Sequence, residues 1–424
     1  MNVQPQSDQG DTAGSRLYTH VRQVITGRMP ALDGMRGAGM VVVLIVHFSW
    51  TPFGLPGLGG RLISTIIPAG WIAMASFFVL SGFLITGILL DSKGAENYFS
   101  SFYARRALRI LPLYYGSLFV GFILFPLLGK LGLPYFPKEF FSGQLWYWCY
   151  VGNLVWMRLH AAPYFDHFWS LAVEEQFYFV WPLIIYMTRR RTLAKICIAL
   201  VVIAPILRIL LYLRGVNPEG IYRLTTSHID ALGLGALAAL IVRDENWTRR
   251  LVPRLNYFIY PSMAIFCIMC VAMGSFDYEG PAFVYGASWV AIFFTGLVLH
   301  LVATTGTDSR LQRFLQWGWL QSCGKYSYAI YVLHFPLTIY YFGTVLPRFM
   351  DYLRQTGLRD WFHHRSMFDN GILMTVYLIH IFVLCLIFFG LGKLSWWAFE
   401  GPINDRKKYF KPRWRSSMPK PREA

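Results

Sequence analysis

The chain has 424 residues, of which 55% are hydrophobic, 17% aromatic and only 14% charged. About a quarter of an ordinary soluble domain is charged, so this composition excludes a string of water-soluble domains and points to a membrane-embedded protein. The net charge of +17 would suit nucleic acid on a soluble protein. Beside long uncharged runs it reads instead as the basic loops of a polytopic protein, and nucleic acid is excluded as a partner.

Residues 1–16 are polar, and residues 17–36 mix Leu17, Val21, Val24 and Ile25 with Arg16, Arg22, Arg28 and Arg36. No early apolar run precedes them, so no cleaved signal peptide is expected, and the stretch reads as a short amphipathic helix along the inner membrane surface. A bilayer crossing needs about 20 mostly apolar residues. Ten segments qualify: 37–54, 68–90, 108–129, 168–187, 194–213, 228–243, 256–275, 281–303, 326–346 and 371–394. Segment 142–157 is also apolar, but Gln144, Asn153 and its Trp and Tyr residues, with Arg158 beside it, make it an interfacial or re-entrant element. The expected fold class is therefore all-α: a polytopic membrane protein of about ten transmembrane helices plus that aromatic segment.

With the N-terminus inside, the cytoplasmic segments hold 28 of the 39 Lys and Arg residues and the outer segments 10. That bias predicts both termini in the cytoplasm. The expected organisation is a cytoplasmic tail over 1–27, a transmembrane domain over 28–395 and a basic cytoplasmic tail over 396–424. From about residue 403, Lys407, Lys408, Lys411, Arg413 and Arg415 predict a disordered stretch lying against anionic lipid. Six cysteines (Cys149, Cys197, Cys267, Cys270, Cys323, Cys385) lie in or beside apolar runs, so no disulfide framework is expected, and Cys267 with Cys270 reads as packing.

An ionisable side chain within a span is a functional candidate, because desolvating it costs free energy that packing alone rarely justifies. His47 lies 11 residues beyond Arg36 on the first span. Eleven steps of about 100° leave the two on one helix face, separated by a rise of about 16 Å. Arg36 then reaches the inner mouth and His47 lies near mid-membrane, a spacing that suits a long anionic donor gripped at its charged end while its reactive end meets an imidazole base. A histidine bonded to a neighbouring helix is the competing reading. At the inner end of the third span, Arg106 and Arg109 share a face in Tyr103-Ala104-Arg105-Arg106-Ala107-Leu108-Arg109 and could fork onto phosphates, or simply satisfy the orientation rule, as Arg189-Arg190-Arg191 does.

Glu174 and Glu175 are adjacent acids near the outer end of the fourth span, amid aromatic residues. Neighbours on a helix point about 100° apart, so one of the pair is expected to face the central cavity, where it could orient an imidazole or bind a sugar hydroxyl. An ion pair with Arg208 or Arg214 is the structural alternative. His334 lies just before Pro336 in a later span, whereas His380 and His300 read as packing residues. Ser81-Gly82 reads as a close helix contact rather than a nucleophile. No G-x-S-x-G elbow or P-loop occurs, and His363-His364 is too little for a metal site, so none is expected.

Together these motifs resemble the membrane-bound acyltransferase-3 family, integral-membrane O-acyltransferases of exported glycans, over about residues 28–395. The resemblance rests on five elements in the family's order: Arg36-x10-His47, Phe77-Phe78-Val79-Leu80-Ser81-Gly82-Phe83, Arg105-Arg106-x-x-Arg109-Ile110-x-Pro112, Trp169-Ser170-Leu171-x-Val173-Glu174-Glu175-Gln176-Phe177-Tyr178, and Tyr326-Ser327-Tyr328 through His334-x-Pro336.

What it implies is a ten-helix bundle in the bacterial inner membrane that moves an acyl group, often acetyl, from cytoplasmic acyl-CoA to an acceptor hydroxyl outside. His47 and Glu174 are then the expected catalytic residues, and Arg36, Arg106 and Arg109 the acyl-CoA ligands. Asp33, Ser81, Trp169, Ser170, Glu175, Tyr178 and His334 are the expected substrate contacts. No permanently bound cofactor is expected, with acyl-CoA a substrate, and membrane lipids and a sugar-bearing acceptor are the other partners. Many relatives carry an extracytoplasmic SGNH-type domain. This sequence carries none after its last apolar run, so the expectation is an acceptor that comes directly to the membrane core or through a separate extracytoplasmic partner. Either His47 acts as a base or it carries the acyl group transiently. The rival classes are a transporter or flippase of a lipid-linked glycan, and a scaffold without chemistry.

Overall fold

The computed structural model describes residues 13–49, 64–65, 67–129, 143–157, 163–355 and 369–414, and every regular element among them is helical. The longer helices are α1 (Ala13–Thr26), α2 (Pro30–Phe48), α3 (Ile72–Ser92), α4 (Tyr98–Phe119), α5 (Trp169–Met187), α6 (Arg190–Leu213), α7 (Ile229–Ile241), α8 (Asn256–Met273), α9 (Pro281–Ala303), α10 (Gly318–Tyr340) and α11 (Asp369–Ser395). The amphipathic stretch near the N-terminus is α1, which turns Val21 and Ile25 inward.

Among the described residues, eight helical segments are long and apolar enough to cross a bilayer, two fewer than the sequence suggests. The other two expected spans are helices α5 and α7. Glu174, Glu175 and Gln176 interrupt the apolar run of α5, and α7 has only 13 residues. At about 1.5 Å per residue, α7 reaches about 20 Å against a hydrocarbon thickness of about 30 Å. Apart from half-buried Ile229 and Leu237, every residue of α7 is buried, so this short rod is enclosed by protein rather than facing lipid. Glycines make that enclosure possible: a Cβ on Gly235 would overlap the Val79 carbonyl oxygen of α3, and one on Gly82 would overlap that of Leu232. The Ser81-Gly82 pair thus serves the close helix contact its sequence suggests. By contrast, α6 exposes Ile198, Val202, Ile203, Ile206 and Leu210, and α11 exposes Leu378, Phe382 and Leu386. Such apolar faces belong in hydrocarbon.

A second close contact sets the site. Helices α2 and α10 run parallel, and a Cβ on Gly37 would overlap the carbonyl oxygen of Leu320, while one on Gly324 would overlap that of Asp33. His47 and His334 each stand ten residues past the glycine of their own helix, so equal rise carries both imidazoles to one level.

The aromatic segment does not span. It forms short helices Gln144–Trp148 and Gly152–Met157, pinned to α5 by Gln176 Nε2, which donates to the Tyr150 carbonyl at 2.9 Å and to Asn153 Oδ1 at 3.0 Å. The stretch from residue 403, expected to be disordered, instead folds as Gly401–Asn404 and Asp405–Phe410. It docks on α4, where Asn97 and Ser101 bind its backbone, and those hydrogen bonds outweigh the pull of its basic composition toward solvent. No disulfide forms among the six cysteines.

Replacing Gly235 by Leu should force α3 and α7 apart and destabilise the bundle by about 1–3 kcal/mol. The check is the thermal unfolding midpoint of purified protein in detergent; an unchanged midpoint would contradict the contact.

Candidate active site

The polar side chains that the helices enclose divide between two ends. At one end Arg36, in the second turn of α2, meets Arg106 and Arg109, which are one turn apart on α4. Asp33 steadies Arg36 at 3.7 Å and also accepts from Arg28 Nε at 3.3 Å. The three arginines line a cavity of about 250 Å3 together with Ser81, Glu174, Glu175, Tyr178, Ser170 and Tyr331, and its apolar wall includes Met40, Met74, Phe77 and Phe78. Arg106 lies over the Tyr178 ring, 5.2 Å from its centre, and the Tyr178 hydroxyl is hydrogen-bonded to Ser81.

Both glutamates line the cavity, where the sequence suggests only one would. The hollow wraps around α5 widely enough to take two residues about 100° apart. Among the described residues no carboxylate lies within 4 Å of the Arg106 or Arg109 guanidinium, so acids and arginines face each other across space instead of closing into ion pairs. Nor does Arg208 serve the glutamates. It donates to Asp230 at 2.9 Å, to Ser288 Oγ at 2.6 Å and to two backbone carbonyls, and it is fully buried.

The other end holds imidazoles. His47 occupies the last turn of α2, which closes at Phe48, so it lies near the helix end rather than midway along a span. It does not line the cavity. Its Nδ1 lies 2.8 Å from the Val43 carbonyl oxygen. A carbonyl only accepts, so Nδ1 carries the hydrogen, and in the neutral form of the ring the lone pair is on Nε2, the form a base requires. The Val43 backbone thus orients the ring.

The His334 ring centre lies 4.9 Å from that of His47, and the His167 ring centre lies 5.1 Å from that of His334. Phe335 touches His47 and His167 at 5.1 and 5.0 Å. His334 Nδ1 meets the Tyr331 carbonyl at 2.7 Å, but among the described residues no well-aligned hydrogen bond reaches its Nε2 or either ring nitrogen of His167, all of them buried. Leaving such groups unpaired costs about 1–3 kcal/mol each, a cost that buried groups seldom carry unless another polar molecule meets them.

The two ends share one wall. Tyr331 donates its hydroxyl to the His167 carbonyl at 2.7 Å, and the same oxygen is 2.5 Å from Ser170 Oγ. Ser170 and Tyr331 close the cavity, and the imidazoles begin just behind them.

Arg36, Arg106, Arg109, Ser81, Ser170, Glu174, Glu175 and Tyr178 therefore meet in one cavity, and His47 meets His334. Asp33 lies outside the cavity, holding Arg36. Trp169 does not line the cavity either; it packs against Tyr222 at 4.6 Å and His228 at 5.3 Å. His380 packs against the rings of Tyr341 and Phe342, with the Tyr341 hydroxyl 3.4 Å from its Nδ1, consistent with a packing role. His363 and His364 lie outside the described residues. Among the described residues no three His, Cys, Asp or Glu side chains converge as a metal site. His167 and Tyr331 escaped sequence reasoning. His167 stands in the short turn Pro163–Phe168, ahead of the apolar window of α5, and the one signal was its place two residues before Trp169-Ser170.

The protein family described as "Acyltransferase domain" matches residues 29–362. The chain is 29% identical over 331 residues to YrhL of Bacillus subtilis (strain 168), provisionally named a peptidoglycan O-acetyltransferase; the match covers 73% of this chain and 49% of that protein. It is 28% identical to the peptidoglycan O-acetyltransferase OatA of Listeria monocytogenes over 73% of this chain and 49% of that one. Identity to the O-acetyltransferase OatA of Staphylococcus aureus (strain NCTC 8325 / PS 47) is 25%, covering 74% and 51% respectively. The chain thus spans about half the length of the curated relatives it matches. No solved structure matches it.

Tyr331→Phe removes the hydrogen bonds that join the two ends. The variant should fold but lose about 1–3 kcal/mol of stability. Thermal melting in detergent reads this directly, and a midpoint equal to that of the unaltered protein would show that Tyr331 does not bind the wall together.

Proposed function

The chain belongs to this acyltransferase family, and we propose that it is a membrane O-acyltransferase. It moves an acyl group of acetyl size from cytoplasmic acyl-CoA to a hydroxyl of an extracytoplasmic glycan or glycosylated metabolite. The carrying observation is the sharing of Ser170 and Tyr331 between a cavity lined by three arginines and a cluster of imidazoles at the opposite end. The relatives' names support the acetyl group and a glycan acceptor.

In this reading the arginine end faces the cytoplasm of a bacterial inner membrane, both termini lie there, and Arg36, Arg106 and Arg109 bind the donor phosphates as guanidinium forks. The pantetheine arm runs up the cavity, where Glu174 and Glu175 accept hydrogen bonds from its two amide N–H groups. The thioester stops against Ser170 and Tyr331. An acceptor hydroxyl enters from the outer side among His47, His334 and His167 and satisfies their unpaired nitrogens. His47 Nε2 takes its proton while the hydroxyl oxygen attacks the thioester carbonyl carbon. The tetrahedral adduct collapses, the C–S bond breaks, and the thiolate leaves with the proton that His47 returns. A neutral ring fixed by Val43 suits this general-base role.

Purified protein in proteoliposomes, given labelled acetyl-CoA and candidate glycans, should release CoA and label the glycan. His47→Ala should lower that rate by about 100-fold or more while leaving the melting midpoint in place. If the unaltered protein moves a lipid-linked glycan across the bilayer but never consumes the thioester, it is a transporter and the proposal fails.

A further inference from the structure

The basic stretch after α11 lies along the arginine end in a fixed register. Asn97 of α4 donates through Nδ2 to the Lys411 carbonyl at 2.9 Å and accepts from the Arg413 backbone N–H at 2.8 Å. One turn further along α4, Ser101 Oγ donates to the Phe410 carbonyl at 2.9 Å. The stretch therefore runs antiparallel to α4. Three residues back from Phe410, at about 2 Å per residue in this tight helical turn, cover about 6 Å, the same distance as the four residues forward from Ser101 at about 1.5 Å each. Lys407 thus comes level with Arg105, and Arg109 follows one turn on. Arg105 turns its Nε back to the Ser101 carbonyl at 3.0 Å. Lys407 is half-buried and interacts electrostatically with Arg109, Arg106 and Arg105. Glu400, the acid of this stretch that interacts with Arg109, accepts instead from Ser395 at 3.0 Å, and among the described residues no carboxylate lies within ion-pair distance of Lys407, Arg105, Arg106 or Arg109.

We infer that Lys407 is a fourth cationic ligand of the inner mouth, brought there by the docked C-terminal stretch to hold the phosphates of the nucleotide end of the acyl donor. The inference rests on the donor assigned in the proposed function. Among the described residues Lys407, Arg105, Arg106 and Arg109 have no carboxylate in ion-pair contact, and like charges held this way repel one another unless a polyanion bridges them. The ligand chemistry is phosphate, which a nucleotide or an anionic lipid headgroup could supply. Arg106 and Arg109 line an internal cavity rather than a lipid-facing surface, which favours the nucleotide. The neighbouring Lys408 makes a natural control, since it is exposed and lies over its own neighbour Tyr409 at 5.2 Å.

The test is equilibrium binding to the full chain in lipid-free detergent, with coenzyme A and phosphate-free pantetheine as probes. Lys407→Ala should weaken coenzyme A binding about tenfold, with Lys407→Glu weaker still and Lys407→Arg close to the unaltered protein. Lys408→Ala should not shift it, and the penalty should vanish with pantetheine. Melting midpoints separate lost binding from a lost fold; if Lys407→Ala is destabilised, the Glu-to-Arg comparison decides. If the unaltered protein binds coenzyme A and every Lys407 variant binds it equally, this inference falls while the proposed function stands. If the unaltered protein does not bind coenzyme A, the donor assignment fails and the inference fails with it. A Lys407 effect seen only with anionic-lipid vesicles would make the stretch a membrane contact and overturn it.

Discussion

Everything at the site depends on one backbone contact, the approach of α2 and α10 at Gly37 and Gly324. No side chain can stand at either position without striking a carbonyl of the other helix. Two parallel helices pressed together this closely share a rise, so positions equally far beyond the contact arrive side by side, and His47 meets His334. The same contact lies one residue past Arg36 and turns that guanidinium into the cavity with Arg106 and Arg109. A single pair of glycines therefore sets both the level of the imidazoles and one wall of the arginine end, although a rise of about 16 Å separates the two along α2.

Charge inside the bundle is handled in two opposite ways. Arg208 and Asp230 form a closed unit in which the guanidinium meets a carboxylate, a hydroxyl and two carbonyls, so four of its five N–H donors are engaged within the protein. Burial of such a pair is tolerable because its members satisfy each other. Around the cavity, Arg106, Arg109, Glu174 and Glu175 stay apart though each is drawn out of bulk water. Satisfying those groups internally would collapse the hollow. Held apart by the helices and half-buried, they are free of ion pairs with one another, the pattern that a binding site would show and a structural ion pair does not.

Much of this was legible in the sequence because helical period is legible. Arg36 with His47, and Arg106 with Arg109, are same-face pairs on single helices, and the ten helical segments follow the apolar runs. What could not be read depends on neighbours brought from elsewhere in the chain. Both Glu174 and Glu175 face the cavity because of how wide the hollow opens around α5, which no single-helix argument contains. Arg208 found Asp230 on α7, two helices away from the acids offered to it. Trp169 sits within a motif yet packs against Tyr222 and His228. Composition misled once, at the basic stretch after residue 403, where Asn97 and Ser101 on α4 supply partners that the stretch itself does not reveal.

The wall of Ser170 and Tyr331 explains why the two ends are adjacent but not open to each other. A thioester that reached an activated imidazole directly would meet water as readily as a sugar hydroxyl, and hydrolysis would drain the donor. In this structure His47 lies outside the cavity against His334, and His334 in turn packs against the cavity-lining Tyr331, which is engaged with Ser170 and with the His167 carbonyl. In the proposed reaction an acceptor inserting among the imidazoles would meet the nitrogens of His334 and His167, and its own hydroxyl would become the group that bridges to the wall. Proton removal and carbonyl attack then become available together only when the acceptor occupies its place. Under the proposed function the hydrogen-bonded wall would act as the selectivity element of the site, and its polarity, rather than simple bulk, would let a hydroxyl-bearing acceptor complete what an apolar barrier would block.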